Sequence, residues 1–401
     1  MTDPASPRRI LVASRLYRPE PSAASFRIAA LADALAGEDD VTVLTTRPPA
    51  GSADESTADA EAGITVSRAR VLRDRSGAIR GYAQYASFDG PLFFRLLARR
   101  SDAVVAEAPP TTGLVALVAA RLRRSRFVYY PGDVWTDGVI AMGASRPVIG
   151  LMRWMESLVL KHSDVVLAVS PEVGERLERL GARADRVLVV GNGVDTEVFR
   201  PDVDAPVNVR PYFVYTGTMS EWQRPEIFVE ALAWLGERAA DVDLRFFGQG
   251  TAEQAVRDAA NRLLPGRVHF GGVVSPAESA RWIRGAVGAL VSIVPGVGYD
   301  FARPTKTYAA AATGTPVLYA GAAAGALVVA GAELGETADF TADAVAAAMQ
   351  RLLEQHADGR THSSRERRAL WARDNVSLAA VGRRAASAVR TALSGAAGAA
   401  R

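Results

Sequence analysis

Short apolar runs alternate with longer segments of helical periodicity along almost the whole chain, and this alternation restricts the fold more than any other feature. Residues 10–14 form the first apolar run, residues 26–36 carry apolar side chains at helical spacing, and residues 41–46 form the next run. A strand, a crossover helix and a second strand make a βαβ unit, which builds a parallel sheet. Further buried strands are predicted in the first half at residues 103–106, 127–130, 165–169 and 187–190.

This alternation stops once and then restarts. Residues 199–210, which include Pro201 and Pro206, break the composition and predict an interdomain linker. At 401 residues the chain is long enough for two domains. Strands after the linker are predicted at residues 212–217, 244–248, 268–272, 289–294 and 316–321.

We therefore predict an α/β protein with two doubly wound, parallel-sheet domains of the Rossmann-like kind. The predicted domains are residues 1–200 and 201–363, followed by a C-terminal helix over 364–393 and a tail that ends at 401. Sheets of this class bind ligands at the carboxyl ends of their strands, so we expect the two domains to face a ligand-binding cleft.

The composition narrows the chemistry. The chain has no cysteine, which excludes disulfides, thiolate metal sites and cysteine nucleophiles and is typical of a reducing compartment. Its first residues lack the basic and apolar segments of a signal peptide, so a cytoplasmic protein is expected. Residues 307–332 carry no charge, but their alanines, glycines and Pro316 favour a strand, a turn and a helix over a membrane span.

Two basic clusters lie at residues 93–100 and 121–126, although the formal net charge is only +3. The simpler interpretation is a solvated helix face. The alternative is a surface for anionic lipid headgroups or for a phosphate-bearing acceptor, which predicts peripheral contact with the inner face of a membrane. Nucleic-acid binders usually concentrate their basic residues with interleaved aromatics, and we expect no nucleic-acid partner.

Three glycine turns follow strands on one edge of the second half, at residues 216–218, 248–250 and 296–298. Glycine turns and helix N-termini bind phosphate in this class of fold. The last turn leads to a helix near Pro304, whose first turn contains Lys306, one of only two lysines among the 47 Lys and Arg residues. A cation there is unfavourable unless an anion is bound. Lys306 therefore either clamps a diphosphate or extends to solvent.

A longer motif carries a resemblance to a known family. Residues 189–201, VVGNGVDTEVFRP, resemble the signature of glycosyltransferase family four, whose members are retaining sugar transferases of the GT-B fold. Asp133-Val134-Trp135 resembles the D-x-W of the branch that includes fucosamine-transferase-like enzymes of surface polysaccharide assembly. Other stretches that match in order lie at residues 19–27, 168–170, 215–217 and 304–317, so the resemblance extends over nearly the whole chain.

The resemblance implies that the C-terminal half binds a nucleotide-diphosphate sugar as co-substrate, with no metal or other cofactor, and that the N-terminal half binds an acceptor. It also implies that the helix after residue 364 crosses back to brace the first domain. The donor-side residues carried over are Gly217, Thr218, Gly248, Asp300 and Thr305. The acceptor-side residues are Ser22, Ala23, Arg27, Trp135 and Asn192. The catalytic residues are Lys306, Arg224 and Asp133.

The chain departs from the family at two acidic positions. Many members carry two glutamates eight positions apart, and the aligned residues here are Phe301 and Ala309. The later glutamate commonly holds the donor ribose. Asp300 is the nearest carboxylate, so it is either a substitute or an ordinary turn aspartate.

A second departure concerns basic residues. The family's arginine and lysine after the first donor-domain strand align with Thr218 and Gln223, and Arg224, one position further on, could supply the missing charge.

We therefore expect a retaining glycosyltransferase that moves a sugar from a nucleotide-diphosphate donor to a hydroxyl of a glycan, a lipid-linked sugar or a small metabolite. Two alternatives stay open. The lost glutamates favour a catalytically silent protein that binds a nucleotide sugar or a glycan. A nucleotide-sugar epimerase of the same fold would need acids and histidines in the cleft, and both are scarce.

Overall fold

The structure is a computed structural model that describes residues 7–20, 22–48, 59–60, 62–74, 79, 81–207 and 210–394. The chain forms two compact units. The N-terminal unit comprises the chain up to Asn192 together with the residues from Leu378 onward, and the C-terminal unit comprises Gly193–Ser377.

The N-terminal unit is built on one parallel sheet. Its strands are β1 Arg9–Ala13, β2 Asp40–Thr46, β3 Thr65–Ala69, β4 Ala103–Glu107, β5 Arg126–Tyr130, β6 Val165–Ala168 and β7 Val187–Val189. Its helices are α1 Ala23–Ala36, α2 Tyr82–Leu97, α3 Pro110–Arg123, α4 Trp135–Ala141, α5 Arg146–His162, α6 Pro171–Arg179 and, near the end of the chain, α15 Leu378–Ser394. The described strands follow the order β3-β2-β1-β4-β5-β6-β7, which reverses between β1 and β4.

The C-terminal unit repeats this plan. Its strands are β8 Tyr212–Thr216, β9 Asp243–Phe247, β10 Val268–Gly272, β11 Gly288–Ile293, β12 Val317–Gly321 and β13 Gly335–Ala338. Its helices are α7 Ile227–Leu235, α8 Glu253–Leu263, α9 Pro276–Gly285, α10 Thr305–Ala312, α11 Ala323–Gly331, α12 Ala342–Ala357, α13 Arg360–Ser363 and α14 Arg365–Val376. The described strands follow the order β10-β9-β8-β11-β12-β13, which reverses between β8 and β11.

The central strands are buried on both faces because helices cover both sides of each sheet. β4 is buried at all 5 of its residues and β11 at all 6. Such strands are continuous apolar runs in the sequence, which is why they were predictable. The strands β3 and β13 lie at sheet edges, are largely half-buried and contain the polar sequences TVSRA and GETA, so the apolar pattern did not predict them.

Residues 364–393 were predicted as one helix but form two, α14 and α15, separated by an extended Ser377. The backbone N–H of Val194 donates to the carbonyl of Val376 at 2.8 Å, and Val194 forms a parallel bridge with Ser377. The helix is therefore interrupted where the chain pairs with another segment of the same unit.

The unit boundaries follow from this interruption. α14 belongs to the C-terminal unit and α15 to the N-terminal unit, so the division lies at 192/193 and 377/378 rather than at the predicted 200/201 and 363/364. α15 packs along α1, and its Gly382 meets the carbonyl of Ala30 at a distance that leaves no space for a Cβ. Arg390 of α15 donates to Asp39 at 2.8 Å.

The uncharged segment 307–332 contains most of α10 and all of β12 and α11. Gly314 and Pro316 lie between α10 and β12, and Gly321 and Gly331 end β12 and α11, as their breaking tendency predicts. Gly325 lies within the first turn of α11. Among the described residues, the structure contains no helix with the length and apolar character that crossing a bilayer requires.

Candidate functional site

The carboxyl ends of β8 and β11 carry polar loops of the C-terminal unit. These strands are neighbours, and the strand order reverses between them. A reversal of this kind leaves a crevice where open α/β sheets bind ligands. The loop after β8 begins at Gly217, and the loop after β11 leads into α10. Lys306, in the first turn of α10, therefore reaches the same sheet edge as Thr218.

The ammonium of Lys306 has few partners in this crevice. Its Nζ donates a 3.4 Å hydrogen bond to the carbonyl oxygen of Thr218 and lies 3.7 Å from the centre of the Tyr215 ring. Within the described part of the chain, no carboxylate is close enough to pair with it. The residue is half-buried, and the resulting desolvation lowers the pKa of Lys306 to about 7. An anion bound here would hold the lysine in its charged form.

The start of α10 adds to this positive potential. The helix begins at Thr305, directly after Pro304, and neither a side-chain cap nor an acidic residue occupies its first turn. The first backbone N–H groups of a helix lack intrahelical acceptors, and the helix dipole places positive potential at the same end. Thr305, predicted on the donor side, and Lys306, predicted to be catalytic, thus share one helix terminus.

Two glycines allow the loops after β8 and β9 to meet. Gly217 (φ 98°) donates its N–H to the carbonyl of Phe247 at 2.8 Å, and Gly248 (φ 125°) donates to that of Gly272 at 2.7 Å. A Cβ on Gly248 would overlap the carbonyl oxygen of Gly217. Both the positive φ and the close approach require glycine. The structure therefore brings Gly217, Thr218 and Gly248 together at one edge.

Gln223, which stands where the family has a lysine, is buried and holds the loop together. Its Oε1 accepts hydrogen bonds from the hydroxyls of Tyr215 at 2.7 Å and Ser220 at 3.0 Å. Its backbone carbonyl accepts from the hydroxyl of Ser292 in β11 at 2.6 Å. These bonds tie the loop after β8 to β11 and fix the Tyr215 ring beside Lys306.

Arg224 does not share the contacts of Lys306. Its guanidinium pairs with Glu230 at 3.3 Å and with Glu226 at 3.5 Å. These two carboxylates compensate its charge. Lys306 is therefore the stronger candidate for a cation that neutralises a bound phosphate.

The acidic positions of the family are filled by apolar residues with clear packing roles. Ala309 is buried in the core of the C-terminal unit. Phe301 stacks on Tyr299 with ring centres 6.3 Å apart, and Tyr299 stacks on Trp222 at 4.7 Å. The sequence analysis missed this aromatic stack, because Trp222 and the other two rings lie on different loops that only the fold brings together.

Asp300 has the contact of a turn residue. Its carboxylate accepts a 2.8 Å hydrogen bond from the backbone N–H of Gly296, which closes the glycine turn after β11. Of the two interpretations that the sequence left open, this contact favours the turn aspartate over a substitute for the missing glutamate.

In the N-terminal unit, Arg27 and Asp133 lie near the carboxyl ends of β4 and β5. Arg27 is buried and pairs with Glu107, the last residue of β4, at 3.1 Å. Its guanidinium packs so closely on Gly132 that a Cβ there would come within 2.5 Å of Nη2. Asp133 is exposed to solvent, and partial desolvation of its carboxyl raises its pKa against the lowering effect of Arg27. An accessible carboxyl of this kind can exchange a proton with a hydroxyl.

Trp135 begins α4 and is fixed by a buried acid. Its backbone N–H and that of Thr136 donate to the carboxylate of Glu156 at 2.9 and 2.8 Å. The Trp135 ring meets that of Tyr85 edge-on, with centres 6.0 Å apart. Glu156 therefore serves as the cap of α4 and positions the D-x-W segment.

The remaining acceptor-side predictions fall on structural positions. The hydroxyl of Ser22 accepts a 3.1 Å hydrogen bond from the N–H of Ser25 and caps α1, whereas Ala23 is the exposed first residue of that helix. Asn192 follows β7 at the end of the N-terminal unit. Among the described residues, no cluster of three or more histidine or acidic side chains has the proximity of a metal site.

Arg15 was missed by the sequence analysis. It follows β1 closely and is only 7% exposed. Its guanidinium lies 4.1 Å from the centre of the Tyr85 ring and 5.9 Å from that of Trp135. No local signal distinguishes it from the many other arginines of the chain, because its burial is a property of the fold.

Two family models match the chain in succession. Residues 23–193 match the glycosyl transferase 4-like domain, and residues 210–355 match glycosyl transferases group 1. The first match falls almost entirely in the N-terminal unit and the second falls in the C-terminal unit.

Two curated relatives share part of the sequence. The D-inositol 3-phosphate glycosyltransferase of Paenarthrobacter aurescens is 29% identical over 179 residues, which are 41% of this chain and 42% of that protein. The protein of the same name from Xylanimonas cellulosilytica is 31% identical over 181 residues, with the same coverage of 41% and 42%. The chain thus spans less than half the length of these relatives.

Solved structures of similar fold cover nearly the whole chain. Sucrose-phosphate synthase of Thermosynechococcus elongatus has a TM-score of 0.72 and 17% identity, over 97% of this chain and 100% of that one. HepE of Anabaena, in complex with UDP-glucose, has a TM-score of 0.66 and 15% identity, over 96% and 100%. At these identities the likeness concerns the fold.

The sheets and the sequence matches agree. Each unit has a parallel Rossmann-like sheet whose strand order reverses once, and the two glycosyltransferase domains follow each other along the chain in the same order as the units. The chain therefore belongs to the GT-B glycosyltransferases.

Proposed function

We propose that this protein is a nucleotide-sugar-dependent glycosyltransferase that retains the anomeric configuration of the sugar it transfers. The donor is assigned to the crevice at the carboxyl ends of β8 and β11, and the hydroxyl acceptor to the N-terminal unit near Arg27 and Asp133. The observation that carries this proposal is Lys306, an ammonium at a helix N-terminus with no carboxylate partner among the described residues. The relatives named for glycosyl transfer and the HepE complex with UDP-glucose support it.

The proposed reaction requires positively charged groups in this crevice. The bond from the anomeric carbon to the diphosphate oxygen breaks, and a bond from that carbon to the acceptor oxygen forms on the same face of the sugar. A diphosphate oxygen takes the proton of the acceptor hydroxyl, so no protein nucleophile is required. Negative charge develops on the leaving diphosphate, and preorganised cations and backbone N–H groups stabilise such charge. Lys306, the first turn of α10 and the backbone near Gly217 are the groups assigned to this role.

The departures from the family are compatible with this chemistry. The proton transfer requires no carboxylate at Phe301 or Ala309, because the leaving group itself accepts the proton. The ribose contact that the resemblance assigns to the later glutamate is not available from Ala309. The Asp133-Val134-Trp135 segment, held by Glu156, supports membership in the branch of fucosamine-transferase-like enzymes. We propose that the protein belongs to that branch and that its reaction needs no metal ion.

The test is the thermal unfolding midpoint of the protein with UDP, GDP, TDP or ADP, each with and without EDTA. A ligand that binds only the native state raises this midpoint. We expect a rise with one nucleotide that persists in EDTA, and sugar transfer or donor hydrolysis with the matching nucleotide sugar. A rise without any turnover would identify a silent binding protein instead. If no nucleotide raises the midpoint, the donor crevice is wrongly assigned.

A surface of the N-terminal unit supports a peripheral membrane contact. Helices α2, α3 and α5 pack side by side and expose large apolar side chains, among them Phe94 (71% exposed), Leu122 (64%) and Trp154 (57%). The acidic residues of these three helices, Asp89 and Glu156, are buried. The three helices therefore expose large apolar side chains but, among the described residues, no carboxylate.

Basic residues complete the same surface. Arg121, Arg123 and Arg124 are exposed at the end of α3, and Arg153 is exposed on α5. Exposed aromatic and aliphatic side chains beside arginines are typical of surfaces that lie on anionic lipid. We propose that a lipid-linked acceptor is approached in this way.

Vesicle flotation tests the membrane contact. The wild type should float with phosphatidylcholine vesicles that contain an anionic lipid and float poorly with pure phosphatidylcholine. Trp154→Glu should weaken flotation, whereas Trp234→Glu, at an equally exposed tryptophan of the C-terminal unit, should not. Flotation that ignores both lipid charge and Trp154 would contradict the membrane contact.

A further inference from the structure

Arg15 presents an unusual electrostatic situation in the N-terminal unit. Its side chain is 7% exposed, and its backbone carbonyl is fixed by a 2.8 Å hydrogen bond from the hydroxyl of Thr46 at the end of β2. The guanidinium lies over the Tyr85 ring, but its buried Nε has no hydrogen-bond partner among the described residues. No described carboxylate is within ion-pair distance of the guanidinium, whereas Arg27, equally buried, has one. A buried guanidinium whose donors lack acceptors is costly, and such groups in native proteins usually have a functional explanation.

The acids nearest to Arg15 are engaged elsewhere. Glu107 pairs with Arg27 at 3.1 Å, and Asp89 accepts a 2.6 Å hydrogen bond from the hydroxyl of Thr112. Burial raises the pKa of both acids, and Arg15 is among the charges that oppose this rise. These carboxylates reduce the net charge around Arg15 without using its N–H groups.

A second buried donor lies close by. Tyr129 of β5 is fully buried, and its hydroxyl has no hydrogen-bond partner among the described residues. Burial raises its pKa well above the ordinary value, and Arg15 is near enough to oppose that rise. Two kinds of donor, a guanidinium and a hydroxyl, thus lack acceptors in one region.

Arg15 and Lys306 each lie at the strand-order reversal of their own sheet, although Arg15 follows the first strand of its sheet and Lys306 the fourth in chain order. Arg15 follows β1, and the strand order of its sheet reverses between β1 and β4. Lys306 contacts the loop after β8, and the order of that sheet reverses between β8 and β11. Each cation lies over a tyrosine ring, Arg15 at 4.1 Å from Tyr85 and Lys306 at 3.7 Å from Tyr215. Ligands bind at such reversals in open α/β sheets.

We propose that Arg15 binds a phosphate group carried by the acceptor. The inference rests on the proposed function, because it names the class of acceptor that the N-terminal unit takes. The planar fork of a guanidinium matches the oxygens of a phosphate, and the bound phosphate would supply the acceptors that Arg15 lacks in the protein. The rings of Tyr85 and Trp135 lie beside the guanidinium. They provide an apolar surface on which the rest of the acceptor can pack.

The experiment compares four full-length proteins: wild type, Arg15→Gln, Lys306→Ala and the double variant. The thermal unfolding midpoint of each is measured in rising concentrations of inorganic phosphate. Both cations should contribute, so the rise of the midpoint should shrink in each single variant and disappear in the double variant. Loss of charged hydrogen bonds should weaken phosphate binding at least about tenfold in Arg15→Gln. Arg179→Gln, at an exposed arginine of the same unit that lies outside both basic clusters, should respond like the wild type.

The variants separate this inference from the proposed donor site. The Arg15→Gln substitution can be compared with the wild type and, in the double variant, with Lys306→Ala. If it leaves the response to phosphate unchanged in both comparisons, the phosphate site at Arg15 is overturned and the donor crevice is unaffected. If Lys306→Ala still binds nucleotide like the wild type, the donor crevice is wrongly assigned. A reduced phosphate response in Arg15→Gln would still support the site at Arg15 in that case. Arg15→Lys keeps the charge without the fork and should bind phosphate more weakly; an unchanged response of this variant also overturns the proposal.

Two further ligands identify the source of the phosphate. Binding of glucose 6-phosphate that depends on Arg15 would indicate a soluble acceptor. Binding to phosphatidylcholine vesicles that contain a polyprenyl phosphate, again dependent on Arg15, would indicate a lipid-linked one. Failure of all these probes, inorganic phosphate included, would overturn the inference.

Discussion

Lys306 and Tyr215 form a cation–π pair, with the ammonium 3.7 Å from the centre of the ring. The ring is held in place because its hydroxyl donates a 2.7 Å hydrogen bond to the buried amide of Gln223. The attraction of an ammonium to a ring is modest, and it leaves the N–H groups of the lysine available to oxygens. The pair therefore positions a cation for a ligand without neutralising it.

Replacing Lys306 with alanine should remove most of the transfer activity and leave the fold intact. The variant loses a group that stabilises charge in the transition state, and such losses cost about two to three orders of magnitude in kcat. It loses no ion pair within the described residues. Lys161→Ala, at the exposed lysine of α5, is the matched control. Equal activity of the two variants would contradict the role of Lys306.

The pH dependence of stability and of donor binding should have opposite signs. The pKa of Lys306 is about 7 in the folded protein and 10.5 for an ordinary lysine, so between these values the unfolded chain binds more protons than the folded one. Stability conferred by this group therefore rises with pH across that window. Nucleotide binding needs the ammonium and should weaken as the pH rises through about 7. Both dependences should shrink in Lys306→Ala when midpoint and affinity are measured from about pH 6 to about pH 9.

Gly248→Ala should destabilise the C-terminal unit and weaken nucleotide binding. The new Cβ would overlap the carbonyl oxygen of Gly217, and the φ of 125° is unfavourable for alanine. A strained backbone position of this kind costs about 1–3 kcal/mol, and the loops after β8 and β9 must move apart. Gly331→Ala, where a Cβ meets nothing within 4 Å, is the control. Urea unfolding and nucleotide titration measure the two effects, and a Gly248→Ala protein that matches the control in both would contradict the prediction.

Substitutions at Glu107 and Asp133 should have different effects, the first on stability and the second on activity. Glu107→Ala leaves the buried Arg27 without its 3.1 Å partner, and removal of one member of a buried pair costs about 3–5 kcal/mol. Asp133 has no such pair among the described residues, so Asp133→Asn should unfold like the wild type while losing activity. Urea unfolding and a transfer assay distinguish the two. The reverse pattern would show that Asp133 is structural and that Glu107 is dispensable to the fold.

The positions of many elements were predictable from the sequence because their signals are local. The strand predicted at residues 268–272 begins and ends where the apolar pattern placed it, and the helical spacing of residues 26–36 lies within α1. A buried parallel strand needs a short apolar run, and a helix on its surface needs a period of 3.6 residues, so each element carries its own signature. The same logic failed for the half-buried edge strands β3 and β13, whose polar sequences carry no such signature.

The roles of particular residues were decided by contacts between distant parts of the chain. The sequence singled out Lys306, but its setting depends on Thr218, 88 positions away, and on the Tyr215 ring. Glu107, 80 positions from Arg27 in sequence, pairs with Arg27, whereas the buried Nε of Arg15 has no hydrogen-bond partner among the described residues. The helix predicted over 364–393 ends early because Val194 pairs with Ser377. Local periodicity thus determined which segments become strands and helices. Only the tertiary structure decided which charged side chains are paired and which remain available to a ligand, because pairing depends on distances in space that no local sequence pattern encodes.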